Sequence, residues 1–266
     1  NMHTVPIKKT ILLLGLFLFF GLFTHKVEAA ILLPGNISTC GELAAPGTYT
    51  LTQNITTGTS TCFIVSSNNV VINGGGHTLN GSGTLAIDGR ARASYPSGGL
   101  SSAPANTGLS IQNLSITGYT TSVDLTGGDG YSSGYAGGSL NIATSSITAI
   151  VVSGGVAAGG TGGDSGDISI SNSTVGNITA LGGTGTTANG VGGDITITGT
   201  SLDISDILVS ASNGTLTVSY TTIDSTNTVL SDLSELTING TNYGSYAGGS
   251  WPNFLTPGNI TTCGEI

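Results

Sequence analysis

Basic side chains are nearly missing from this sequence: five Lys and Arg stand against 14 Asp and Glu, for a formal net charge of −9. Lys8, Lys9 and Lys26 all fall near the amino terminus, which leaves Arg90 and Arg92 as the only cations of the remaining chain. That scarcity excludes nucleic acid and anionic membrane surfaces as partners, because phosphate binding draws its affinity from Lys and Arg. Charge of either sign is low at 7 %, yet Ile, Leu and Val are plentiful, the reverse of a disordered composition. Beyond the amino-terminal segment no stretch repeats its apolar residues at helical spacing, which argues against any helical architecture. Cysteine is sparse too, at Cys40, Cys62 and Cys263. Two cysteines and one distant histidine supply too few ligands for a structural zinc site.

What is present begins with an export signal over 1–29. Lys8 and Lys9 form its basic end, Ile11 to Phe23 its apolar run, and Val27-Glu28-Ala29 a cleavage site before Ala30. The run falls short of the ~20 residues that a bilayer core requires, so no membrane span is expected after cleavage. The expected location is secreted or cell-surface. In that oxidising setting Cys40 and Cys62 are expected to bond, stabilising the amino-terminal end by about 3 kcal/mol through loop closure.

The remaining chain is built on a repeat. Apolar residues recur at i, i+2 and i+7 in Leu109, Ile111, Ile116; Leu140, Ile142, Ile147; Ile168, Ile170, Val175; Ile195, Ile197, Leu202; and Leu216, Val218, Ile223. The i, i+2 pair is the alternation of a strand with one buried face. Asn113, Asn172 or Gly199 follows it, each a residue that tolerates positive φ and lets the chain turn. Apolar stretches at Ile150 to Val152, Ile178 to Leu181 and Ile207 to Val209 supply a further strand of each coil. The expectation is an all-β, right-handed parallel β-helix with three strands per coil, Gly154 to Gly166 and Gly182 to Gly193 forming Gly-rich loops on one edge. Those loops are mobile unless they pair with one another. A longer repeat matches Leu33–Leu43 to Thr256–Ile266 and aligns Cys263 with Cys40. It divides the chain into a module over 30–253, with a cap and first coil over 30–65, and the start of a second copy over 254–266. Further tandem copies of the module are therefore expected as neighbours.

The segments Cys40-Gly41-Glu42-Leu43, Pro46 to Ile55, Cys62-Phe63-Ile64-Val65 and Asn69 to Leu79 resemble the opening coils of pectate-lyase-like right-handed β-helix proteins. The likeness covers about Cys40 to Gly81; the remainder is similar to secreted β-helix surface proteins and adhesins in coil spacing and glycine content. The resemblance implies the fold. It leaves activity open, since lyases, hydrolases, adhesins and sugar-binding proteins share it.

Lyase members of that superfamily abstract a proton beside a uronate, with an Arg or Lys base and carboxylate-held Ca2+. His77, Asp88, Arg90 and Arg92 are the catalytic candidates this implies, and structural roles for them, His77 in a turn and Asp88 paired with an arginine, are favoured. Asp129, Asp164 and Asp167 sit in Gly/Asp turns that only partly match calcium-binding repeats. No cofactor is expected, and Ca2+ is the one ion these turns could take. Tyr131, Tyr135, Tyr243, Tyr246 and Trp251 lie in two Gly-rich segments that share the run Tyr-Ala-Gly-Gly-Ser, and are candidates for stacking on sugar rings. The favoured reading is a non-catalytic extracellular scaffold, adhesive or structural, touching an extracellular glycan or a neighbouring surface protein. The alternatives are a polysaccharide lyase or hydrolase and a carbohydrate-binding module. On expression in an exporting host the mature chain is expected to begin at Ala30; amino-terminal sequencing that returns Asn1 or Met2 contradicts the assignment of a cleaved leader.

Overall fold

The computed structural model describes residues 29–58, 61–91, 105, 107–199, 201–203, 208–219, 222–224, 229–245 and 249–250. The export segment up to residue 28, Arg92, Tyr246, Trp251 and the repeat over 254–266 lie outside the described residues. The described chain is all β, and no helix occurs among the described residues.

Strands pair in parallel with strands one turn of chain away, and the pairings fall into ladders. One ladder runs through Gly41–Leu43, Phe63–Val65, Leu85–Asp88 and Thr121–Asp124 into the ends of Ser146–Val151 and Thr174–Thr179. A second runs through Gly47–Leu51, Val70–Asn73, Leu109–Gln112, Leu140–Ala143, Ile168–Ser171 and Ile195–Thr198 to the end of Leu208–Ser219. A third joins Ile55–Thr57, Thr78–Gly81 and Ser115–Thr117 to the start of Ser146–Val151. Early turns keep these strands separate. In Ser146–Val151 and Thr174–Thr179 the third and first ladders share one continuous strand, Ile147 and Ile150 of the one aligning with Val175 and Ile178 of the other.

The core follows from register. In the second ladder Ile111 pairs with Ile72 and Ile142, Ile142 with Ile170, Ile170 with Ile197, and Ile197 with Val218. Leu109, Leu140, Ile168, Ile195 and Leu216 form a parallel row two residues earlier. All ten of these aliphatic partners from Leu109 to Val218 are buried, and burial of each contributes about 1.5–3 kcal/mol. In the first ladder Phe63, Ile87, Val123, Ile150 and Ile178 align in the same way. Like residues thus lie over like residues along the stack.

Corners between the second and third ladders need left-handed backbone. Asn113 and Asn172 adopt φ of 51° and 46°, as their residue type suggests. Gly199 departs from that expectation and keeps a negative φ, whereas the equivalent corner of the intervening turn is Thr144 at φ 50°. A β-branched residue is strained there. Its amide still donates to the Ser171 carbonyl at 3.1 Å, and the neighbouring Ser145 hydroxyl to Ala143 O at 2.8 Å, which holds the turn in place.

The Gly-rich loops pair with one another. Each leaves the first ladder, runs out, turns and returns to the second, and three such excursions stack as layers at 126–139, 153–167 and 180–194. Gly127, Gly130, Gly134 and Gly137 donate their N–H groups to Ser153, Val156, Thr161 and Asp164 of the middle layer at 2.8–2.9 Å. Gly154, Ala157, Gly162 and Ser165 donate to Leu181, Thr184, Ala188 and Val191 of the outer layer at 2.9–3.0 Å. Donors three residues apart on one arm match the period of a polyproline-II helix. A methyl group on Gly155 would fall on the Gly128 carbonyl of the layer below, so close packing itself requires glycine there.

At the amino end Cys40 and Cys62 form a disulfide, Cα–Cα 4.6 Å, tying the first turn to the next. At the carboxyl end Thr241–Asn242 and Gly249–Ser250 fold back antiparallel onto Val229–Ile238 and close the sheet edge.

Three substitutions test this packing. Gly155→Ala is expected to lower unfolding free energy by about 2 kcal/mol through overpacking, while Gly58→Ala, where a methyl meets open space, leaves it unchanged. Thr144→Asn is expected to raise it by about 1 kcal/mol by relieving the corner strain. Urea titration of each variant reads both effects, and a stabilised or unaffected Gly155→Ala protein contradicts the packed layers.

Candidate functional site

The catalytic candidates converge only in part. Asp88 ends its strand in the first ladder and is paired in register with Asp124 of the next turn, so two carboxylates stand on adjacent rungs. Arg90 folds back between them. Its Nη2 and Nε meet the Asp88 oxygens at 2.9 and 3.0 Å in a forked pair, and Nε lies 3.8 Å from Asp124 Oδ2. The backbone N–H of Arg90 also donates to Asp88 Oδ1 at 3.2 Å. Asp124 Oδ1 accepts bonds from the backbone N–H and the hydroxyl of Thr126, at 3.0 and 2.6 Å. Asp88, Arg90 and Thr126 line a groove of about 430 Å³ with Ala91, Gly127, Gly128 and Asp129.

The electrostatics of this groove are those of a closed ion-pair network. Asp88 is buried while the Arg90 side chain is half exposed. The hydrogen bond to Asp88 raises the guanidinium above its ordinary value, with the Asp88 and Asp124 charges adding to it and burial opposing. A group raised in this way contributes stability at every pH below its unfolded value and loses it only as pH rises through the folded one. Arg90 therefore carries its charge at neutral pH, as an arginine ordinarily does.

His77 belongs to a different corner. Its N–H donates to Gly74 O at 2.9 Å in the turn after Val70–Asn73, and its carbonyl accepts from Ser115. The strands Thr78–Gly81 and Leu85–Asp88 lie between it and Asp88 along the chain. It is not among the residues lining the Asp88 groove.

The Gly/Asp turns use their carboxylates to join layers. Asp129 Oδ1 accepts the Val156 N–H at 2.8 Å, Asp164 Oδ1 the Val191 N–H at 2.8 Å, and Asp167 Oδ1 the Asp194 N–H at 3.0 Å. Each bond spans the same 27-residue step between turns. Among the described residues no three His, Cys, Asp or Glu side chains gather as a metal site.

The aromatic candidates are dispersed. Tyr131, 77 % exposed, stands at the tip of the first glycine layer with its ring against Gly159 of the next. Tyr135 sits half-buried on the returning arm, and its carbonyl accepts the Gly155 N–H. Tyr243 is 43 % exposed beside the carboxyl-terminal hairpin, where its N–H bonds Leu236 O.

A second groove was not foreseen from the sequence. It has a volume of about 440 Å³, crosses the outer face of the second ladder and is lined by Ser110, Asn141, Ser169 and Thr196 with Asp167 and Asp194 at its margin. Ser110, Asn141, Ser169, Thr196 and Thr217 pair in one row across the stack. The signal was in the sequence as the polar residue inside each i, i+2 pair, but unequal turn lengths concealed its alignment.

Arg90→Ala is expected to destabilise the protein by about 2 kcal/mol, since it removes the forked cationic partner of the buried Asp88, a value discounted for the exposure of the guanidinium. Arg90→Lys should recover only part, having no fork. Chemical denaturation checks both, and an Arg90→Ala protein as stable as wild type contradicts the network. Comparison of the chain with family models, curated proteins and solved structures finds no match in any of the three.

Proposed function

We propose that this chain is a non-catalytic extracellular scaffold: a right-handed parallel β-helix with three strands per coil, pectate-lyase-like in plan, exported to the medium or the cell surface. The observation that carries the reading is the outward row of the second ladder. Ser110, Asn141, Ser169, Thr196 and Thr217 offer hydroxyls and an amide in register, where turnover of a polysaccharide calls for grouped acids and bases. The Cys40–Cys62 disulfide is consistent with an oxidising compartment. The repeat of Leu33–Leu43 at Thr256–Ile266 supports a rod lengthened by tandem modules. Adhesive or structural contact with a glycan or a neighbouring surface protein suits an outer face of aligned hydroxyls and an amide, with Asp167 and Asp194 at its margin. Tyr131 at the tip of the glycine layers is the aromatic best placed for a sugar ring.

The groove at Asp88 and Arg90, with Asp124 beside it, is the one observation that favours a second reading, a polysaccharide lyase. The forked pair that engages Arg90 with Asp88, with Asp124 3.8 Å away, supports a structural role for these groups instead. Incubation of the purified protein with uronate polymers, with and without added Ca2+, distinguishes the two. The scaffold reading expects no rise in the ultraviolet absorbance of unsaturated products; a rise that disappears in Arg90→Ala establishes the lyase instead.

A further inference from the structure

The glycine layers end abruptly. Inner layers are covered on their carboxyl side by the layer of the next turn, through N–H donors at Gly127, Gly130, Gly134 and Gly137 and then at Gly154, Ala157, Gly162 and Ser165. The 27-residue step seen in the aspartate contacts carries the second set onto Leu181, Thr184, Asn189 and Gly192 of the outer layer. Those four N–H groups donate to no partner among the described residues. The following turn does not cover them along their length. It passes from the first ladder to the second within the single strand Leu208–Ser219, with no glycine excursion, and reaches only the base of the layer, where Gly214 packs on Gly192 and Gly193.

We propose that this outer layer is an interaction surface whose occupant is the glycine wing of a second copy of the chain. The molecule itself displays what fits the surface, because the same interface is already made twice, between the first and middle layers and between the middle and outer ones. Thr184 and Asn189 are exposed on the uncovered edge, with Val191 beside them 51 % exposed. Unpaired donors at three-residue spacing present a template for the carbonyls of another extended glycine-rich arm, in the way an uncovered sheet edge templates another strand. Glycine, alanine, serine and threonine make up most of such an arm, so little side-chain entropy is lost beyond that of its backbone when it docks. The inference stands on the backbone pattern alone and holds whichever function the chain serves.

The test is sedimentation velocity over a concentration series, using the full exported chain with Cys263→Ser so that disulfide-linked dimers do not contribute. Thr184→Pro removes the central donor. Proline keeps a φ suited to a three-residue helix, and residue 184 retains the carbonyl that accepts from Ala157. Thr184→Arg retains the donor and adds an exposed charge, reading the same surface should the proline variant lose its fold. Wild type is expected to self-associate, and either variant to weaken association by about tenfold or more at an unchanged melting temperature. A wild-type chain that stays monomeric throughout overturns the proposal, as do Thr184 variants that associate like wild type. Ile31→Ser with Leu33→Ser serves as a comparison, because both side chains are exposed at the opposite end of the stack; association abolished by that pair alone overturns it equally.

Discussion

Register between successive turns is the constraint from which this structure follows. Parallel pairing places Ile111, Ile142, Ile170 and Ile197 one above another, so the core is built of stacked aliphatic rows running from turn to turn. A slip of one residue in any rung would turn its aliphatic side chains to solvent and its polar ones inward. The alternation of buried aliphatic and outward polar residues in each strand therefore fixes both the interior and the chemistry of the outer face. Excursions between rungs are free to vary in length, since nothing in the column depends on how far the chain travels before it returns.

That freedom has been used in two ways. Some turns cross from the first ladder to the second directly, as Leu208–Ser219 does. Others run out as glycine-rich arms that become a second ordered body held by backbone hydrogen bonds. In the aliphatic column the side chains supply cohesion and the backbone supplies register. Among the arms the backbone supplies both, and positions such as Gly155 exclude a side chain because a methyl would meet a carbonyl of the adjacent layer. Aspartates at the margins add to this by accepting N–H groups from the following turn.

The parts legible in the sequence were those written in side-chain periodicity. The i, i+2, i+7 spacing located the buried strands, and Asn113 and Asn172 announced their corners. Thr144 gave no such notice, because its left-handed conformation is imposed by its neighbours in the stack and not by its own preference. The layered glycine arms were visible only as composition: their hydrogen bonds join main-chain atoms 27 residues apart, and no side-chain pattern encodes them. Asp129, Asp164 and Asp167 read as solvated turn carboxylates with a weak claim on Ca2+, and the structure engages each with a backbone amide. Asp88 and Arg90 were legible as a pair through their proximity in sequence, whereas the distance between His77 and that pair depends on the coil path. Tyr131 and Tyr135 share the first glycine layer while Tyr243 stands by the carboxyl-terminal hairpin, a separation that likewise depends on the coil path.

Amide-to-amide and amide-to-α-proton Overhauser contacts in isotopically labelled protein test the central claim most directly. Stacked parallel rungs predict sequential contacts linking Ile111 to Ile142, Ile142 to Ile170, and Ile170 to Ile197 in the staggered pattern of parallel strands, about 4.8 Å from rung to rung. Contacts that instead pair these isoleucines with adjoining segments in the antiparallel pattern would contradict the stacked column and with it the account of both bodies.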